Sequence, residues 1–258
     1  MTIIQSIIFG IVEGITEFLP ISSTAHLDIT RLLLGIPATS FVKSFEIAIQ
    51  LGAILAVVLL YRKNIFTSWK YFRNICIAFI PTGIIGFVLY KLIKSFLLGN
   101  TLLIACMLIL GGVVIILFEK KYQNKVDEND VRTIESLTIK ELLIMGTAQT
   151  LAVVPGVSRS LSVIISGRMM GISRTLVTEF SFLLAIPTML TATVYDLYKS
   201  GFAFTKGDWG ALSVGFVVSF IVAFFVVKWL IQYIQKNSFI IFGWYRILLG
   251  IFILLFLI

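Results

Sequence analysis

Six stretches of this 258-residue chain are apolar for long enough to cross a lipid bilayer: residues 41–61, 74–90, 101–118, 175–195, 209–227 and 239–258. A spanning helix needs about 20 mostly apolar residues, so six crossings and their connections leave no room for a separate soluble domain. The expected fold class is therefore an all-α integral membrane protein. Composition agrees, with 59% of residues apolar, 13% charged and a mean hydropathy of +1.03. The 21 Lys and Arg give a net charge of +8. They fall mostly in short runs at the ends of apolar segments, which assigns them to topology and membrane lipids and argues against nucleic acid. Cys76 and Cys106 each lie inside an apolar stretch and read as small core residues rather than a disulfide. Residues 1–19 have no basic n-region and contain Glu13 and Glu17, which argues against a cleaved leader or an ordinary anchor.

Two further apolar segments, 3–34 and 142–170, are each interrupted near the middle, by Pro20-Ile21-Ser22-Ser23-Thr24 and by Pro155-Gly156-Val157-Ser158-Arg159-Ser160. Each half is too short to span, so these segments are expected to enter the membrane, turn and leave by the same face as re-entrant helical hairpins. The halves of the chain resemble each other, with Pro20 and Ser23 opposite Pro155 and Ser158 and with Glu46 matched by Glu179. The expected organisation is one membrane domain of two repeats, residues 1–118 and 142–258, joined by a solvated cytoplasmic linker over 119–141. Three spans per copy is an odd number, so the second copy is expected to be inverted relative to the first, an inverted-topology repeat. Arg62, Lys63, Lys70, Arg73, Lys120, Lys121, Lys125, Arg132, Lys140, Arg168, Arg174, Lys228 and Lys236 place one side of the membrane well ahead in basic residues of the side holding Arg31, Lys43, Lys91, Lys94, Lys199 and Lys206. The richer side is expected to be cytoplasmic.

Ionisable groups at membrane depth normally mark a site or a pathway. Glu13, Glu17, His26, Glu46, Arg159 and Glu179 are the ones singled out. Glu13 and Glu17 are four apart on a helix, which stacks both carboxylates on one face. Such a pair suits a general base, a divalent-ion ligand, or both, and equally the wall of a water-filled vestibule. Ser22, Ser23 and Thr24 precede one outgoing helix and Ser158 and Ser160 the other, as caps or as phosphate contacts at helix N-termini. Gly156 lets backbone approach closely, and the planar fork of Arg159 can bind phosphate oxygens or pair with a buried glutamate. His26, one turn past Ser23, is expected to share that polar cavity, while Glu46, Glu179 and Gln50 brace it from the following spans.

Glu13-Gly14-Ile15-Thr16-Glu17-Phe18-Leu19-Pro20-Ile21-Ser22-Ser23-Thr24-Ala25-His26-Leu27, together with Pro155-Gly156-Val157-Ser158-Arg159-Ser160, resembles the two signature motifs of the bacterial undecaprenyl-diphosphatase family, the bacitracin-resistance type. The likeness extends to residues 179–187 and 196–199 and so covers nearly the whole chain. It implies hydrolysis of undecaprenyl diphosphate to undecaprenyl phosphate and inorganic phosphate, dependent on Mg²⁺ or Ca²⁺, at a site opening to the outer face of the cytoplasmic membrane. It also implies recycling of the lipid carrier for cell-wall synthesis, and resistance to bacitracin. By motif position it assigns Glu13 and Glu17 to the acidic motif, Ser22, Ser23 and His26 to its far end, and Ser158, Arg159 and Ser160 to phosphate binding. The family pattern carries a small residue and then a threonine where this chain has Leu161 and Val163, with Ser162 between them as a candidate substitute.

The chemistry is left open among attack by Ser23, attack by His26, and attack by water with Glu17 or His26 as base, Glu13 and Glu17 holding the divalent ion. A homodimer is compatible with the sequence. The rival reading is a transporter or polyprenyl-phosphate flippase, since broken helices and midplane charges are also transporter traits.

Overall fold

The computed structural model describes residues 1–92, 100–122, 131–200 and 205–257, and among these no strand occurs. Among the described residues ten α-helices follow one another. A broken hairpin of α1 (Ile3–Thr16) and α2 (Ser23–Leu33) is followed by α3 (Ser40–Thr67), α4 (Trp69–Leu92) and α5 (Thr101–Tyr122). A second broken hairpin of α6 (Ile139–Gln149) and α7 (Arg159–Met169) is followed by α8 (Arg174–Ser200), α9 (Lys206–Ile234) and α10 (Ile240–Phe256). Among the described residues five helices, α3, α4, α5, α8 and α9, are long and apolar enough to cross a membrane. The protein is an all-helical, multi-pass membrane protein. The sixth expected span falls on α10, whose 17 residues make it shorter than those five, because the helix opens only after Phe239 and stops at Leu257. Lys94 and Lys125 of the topology argument lie outside the described residues, as does the middle of the linker, 123–130.

The two hairpins repeat one backbone plan at a separation of 136 positions. Thr2 and Thr138 each cap their helix through a capping box, closed by Gln5 and Glu141. Ser22 (φ 70°) and Ser158 (φ 77°) precede α2 and α7 in a left-handed conformation that side chains rarely adopt. Gly35 and Gly171, also at positive φ, end those helices. The observed register therefore sets Ser22 opposite Ser158 and Pro20 opposite Gly156, one position away from the pairing expected on the prolines. Backbone geometry fixes it, since the caps at Thr2 and Thr138 and the positive φ at Ser22 and Ser158 and at Gly35 and Gly171 all recur at this one spacing.

Packing exchanges partners between halves: α1 lies on α9, α6 on α4, α3 on α8, and α5 on α10. In α1 the bulky residues Ile4, Ile7, Ile11 and Ile15 face outward, while Ser6, Gly10, Glu13 and Gly14 are buried. That inverts the soluble pattern, as expected when the surroundings are lipid and close backbone approach supplies the packing. Gly146 approaches α4 so tightly that a Cβ there would stand 1.9 Å from the carbonyl oxygen of Ala78.

The linker is less solvated than expected at its ends. Glu119 is buried and pairs with Arg174 at 3.3 Å. Ile134 is buried, and its carbonyl accepts from the Asn74 amide at 2.9 Å. Continuation of α5 to Tyr122 and the start of α8 at Arg174 bring the two opposite charges together at a helix junction, where pairing offsets their desolvation.

Candidate active site

The breaks between α1 and α2 and between α6 and α7 meet. Glu17, just past the end of α1, accepts from Arg159, the first residue of α7, at 3.1 Å. The other Glu17 oxygen accepts from the Ser23 hydroxyl at 2.5 Å. Arg159 also donates to the Ser181 carbonyl at 2.5 Å, so its fork is shared between the opposite tip and α8. Its Nε is buried and has no hydrogen-bond partner among the described residues. Around this trio lies a cavity of about 330 Å³, lined among others by Glu17, Ser22, Ser23, Thr24, Gln50, Gly156, Ser158 and Arg159. Apolar walls from α4 and α8 continue it, including Phe79, Phe87, Met189 and Tyr195.

Other expected site residues stand behind this surface. Ser160 is buried and donates to the Leu19 carbonyl at 3.2 Å, bolting one tip to the other instead of facing the cavity. Ser162 donates to the Ser158 carbonyl at 3.1 Å, as a helical serine commonly does. It is not among the cavity's lining residues. His26 points away: Nδ1 meets the Ser22 carbonyl and Nε2 the Tyr245 hydroxyl, both at 2.8 Å, and the two rings stack. With both nitrogens engaged, His26 is not among the cavity's lining residues. Glu46 lines a smaller adjoining cavity of about 70 Å³ with Asp28, Arg31 and Lys43. Glu179 lies instead within electrostatic range of Tyr61 and Tyr71. The expected pairing of Glu46 and Glu179 around one cavity therefore does not occur, because α3 and α8 present them in different directions.

Glu13 is fully buried, and neither carboxylate oxygen meets a hydrogen-bond donor among the described residues. A buried carboxylate without donors is costly. Together with Glu17 it offers the all-oxygen surroundings that Mg²⁺ or Ca²⁺ favour, so the residues fit a divalent ion. Among the described residues no cluster of three or more acidic, histidine or cysteine ligands occurs, so other ligands would have to come from substrate or water.

Sequence reasoning passed over Arg246, which is completely buried. The signal was present, since it is the only charged residue in 239–258. It also passed over Gln149, opposite Glu13 in the repeat, whose amide donates to Thr82 at 2.9 Å and Thr188 at 3.1 Å. These threonines follow Pro81 and Pro187, so one side chain ties together the two proline-bearing helices that wall the cavity. Asp196, buried at the cavity's far end, accepts from Ser44 at 2.7 Å.

Residues 6–252 match the family model for bacitracin resistance protein BacA. The chain belongs to this family. It is 53% identical to an undecaprenyl-diphosphatase of Aquifex aeolicus over 251 residues, covering 97% of each chain. An undecaprenyl-diphosphatase of Sulfurihydrogenibium sp. is 51% identical, covering 97% of this chain and 98% of the relative. One of Wolinella succinogenes is 48% identical over 257 residues, covering 100% of this chain and 99% of the relative. The BacA match thus covers the breaks of both hairpins and every residue of the Glu17, Ser23 and Arg159 cluster.

Proposed function

We propose that this protein hydrolyses undecaprenyl diphosphate to undecaprenyl phosphate and inorganic phosphate, recycling the lipid carrier of cell-wall synthesis and conferring bacitracin resistance. The observation that carries the mechanism is the trio in which one carboxylate, Glu17, accepts from both Ser23 and Arg159. A hydroxyl bonded to a carboxylate that is itself oriented by a third group is the arrangement of an activated nucleophile. Ser23 Oγ attacks the terminal phosphorus and its proton passes to Glu17. The bond from that phosphorus to the bridging oxygen breaks, Glu17 returns the proton to that oxygen, and undecaprenyl phosphate leaves, so the carboxylate is free again. Water then cleaves the phosphoserine, with Glu17 as base, and releases inorganic phosphate. Arg159, which lines the cavity, and the N-termini of α2 and α7 hold the phosphate oxygens. Glu13 and Glu17 would hold a divalent ion, which supplies neutralisation of diphosphate charge when bound.

The setting we infer is the bacterial cytoplasmic membrane, crossed six times with α10 as the sixth span, the two halves being inverted and both hairpins re-entrant. The exchange of partners between halves supports this arrangement, and 17 residues lie at the lower limit for spanning. The cavity extends along Phe87, Tyr195 and Asp196, near the helix ends that the basic-residue bias places outside, which supports an outward-facing opening for the headgroup. Its apolar walls suit a prenyl tail.

Purified protein in detergent, which has no sides, tests this reading. Steady release of phosphate from undecaprenyl diphosphate with Mg²⁺ or Ca²⁺ is expected, together with a trappable phosphoserine that is lost in Ser23→Ala. No release under any metal condition would transfer the reading to transport.

A further inference from the structure

Arg246 sits in α10 with no exposed surface, in a span that carries no other charge. Its guanidinium meets four backbone carbonyls. Nη1 donates to Pro20 at 3.1 Å, Nη2 to Gly156 at 2.7 Å and to Met107 at 3.1 Å, and Nε to Leu108 at 3.4 Å. Pro20 and Gly156 are equivalent positions of the two hairpins, each two residues ahead of a serine at positive φ. Carbonyls in such breaks have no helical donor and, at membrane depth, little water, so a protein donor is required. A charged donor is costly there and normally marks function.

The surroundings are shaped for this side chain. A Cβ on Gly111 of α5 would stand 2.1 Å from Nη2 of Arg246, so that position leaves room only for the guanidinium. The preceding residue, Tyr245, reaches the first tip a second way, through His26 to the Ser22 carbonyl. One helix outside both hairpins thus grips each of them. The contact it brackets is the pairing of Glu17 with Arg159, which begins three residues before Pro20 and ends three residues after Gly156.

We propose that Arg246 is the positioning residue that sets the spacing of the two tips, and with it the alignment of Glu17 and Arg159, by bonding the Pro20 and Gly156 carbonyls at once. This rests on the reading that Glu17 and Arg159 perform the hydrolysis. Lysine cannot replace the function, because an ammonium lacks the rigid planar fork that reaches several acceptors in fixed directions.

The test is steady-state hydrolysis of undecaprenyl diphosphate by the full-length protein in detergent, per folded molecule. The variants are Arg246→Met, Arg246→Lys and Gly111→Ala, plus Arg246→Lys combined with Glu17→Ala. Misplacement of reacting groups by about 1 Å costs on the order of 100-fold. The kcat of Arg246→Met should fall by about that factor, and those of Arg246→Lys and Gly111→Ala by about tenfold, with KM changed far less. The double variant should lie within about twofold of Glu17→Ala alone, because nothing is left to align. Wild-type kcat in Arg246→Lys and Gly111→Ala, or losses that multiply in full with Glu17→Ala, overturns the proposal. Should Arg246→Met fail to fold, the other variants decide. Full activity in Glu17→Ala would instead sink the hydrolytic reading beneath it.

Discussion

The first hairpin opens with a capping box at Thr2, breaks at Ser22 in the left-handed region and closes at Gly35. The second does the same at Thr138, Ser158 and Gly171. Their side chains part company where the backbones agree. Ser23 stands opposite Arg159 and Glu13 opposite Gln149, so one tip carries carboxylates and a hydroxyl and the other a guanidinium. Backbone identity makes the tips fit one another, and chemical difference makes the junction a site. Neither hairpin alone would be one, because a lone carboxylate or arginine at depth lacks the partner that offsets its burial. The cluster therefore tests the comparison most severely. Glu17→Ala and Arg159→Ala should each lower kcat, measured per folded molecule, by roughly 100- to 1,000-fold, the range for losing a charge-stabilising group, and each should also lower the thermal unfolding midpoint in detergent, because the remaining charge is left buried without its partner. Near-normal turnover in either would show that the two tips do not share one chemistry.

The hairpins also dock differently, and stability should register it. Gly146 of α6 faces a backbone oxygen, Ala78 O, at 1.9 Å from an added Cβ, whereas at Gly10, its equivalent in α1, the nearest atom is also a backbone oxygen, Gly215 O, but at 2.7 Å. Neither backbone atom can rotate away, so the closer approach should cost more. Gly146→Ala should cost about 2–3 kcal/mol and Gly10→Ala about 1 kcal/mol, within the range for overpacking. Thermal unfolding in detergent measures both, and equal losses would mean the second hairpin is as yielding as the first.

Hydropathy made the membrane class and most helix positions legible, because spanning length is a property of contiguous residues. Proline and serine signals located both breaks, and charge at depth located Glu17 and Arg159. What escaped depended on contacts between distant segments. Arg246 was hidden by an otherwise apolar span, and its role needs Pro20 and Gly156 beside it. His26 illustrates the opposite case. Spacing from Ser23 placed it in the cavity, but Tyr245, 219 positions later, turns the ring toward α10. His26→Gln should consequently lose about tenfold in kcat through poorer positioning and keep the shape of its pH–rate profile. A loss of 10²–10⁴-fold with an altered profile is the signature of a general base and would return His26 to the chemistry.

The smallest effect concerns the backbone feature the tips share most closely. A non-glycine residue held at φ 70° or 77° stores on the order of 1–3 kcal/mol, and glycine relieves that strain while giving the unfolded chain more freedom. Ser22 makes no capping hydrogen bond, so Ser22→Gly should stabilise by about 1 kcal/mol. Ser158 accepts from the Leu161 amide at 3.4 Å and contacts Ser160 at 3.2 Å, and losing a cap to glycine costs a few tenths of a kcal/mol. Ser158→Gly should therefore stabilise by less, about 0.5 kcal/mol. Unfolding midpoints of the two variants measured side by side check the order. If Ser158→Gly gained more, the hydroxyl contacts of the second tip would contribute nothing, and its difference from the first would reside in Arg159 alone.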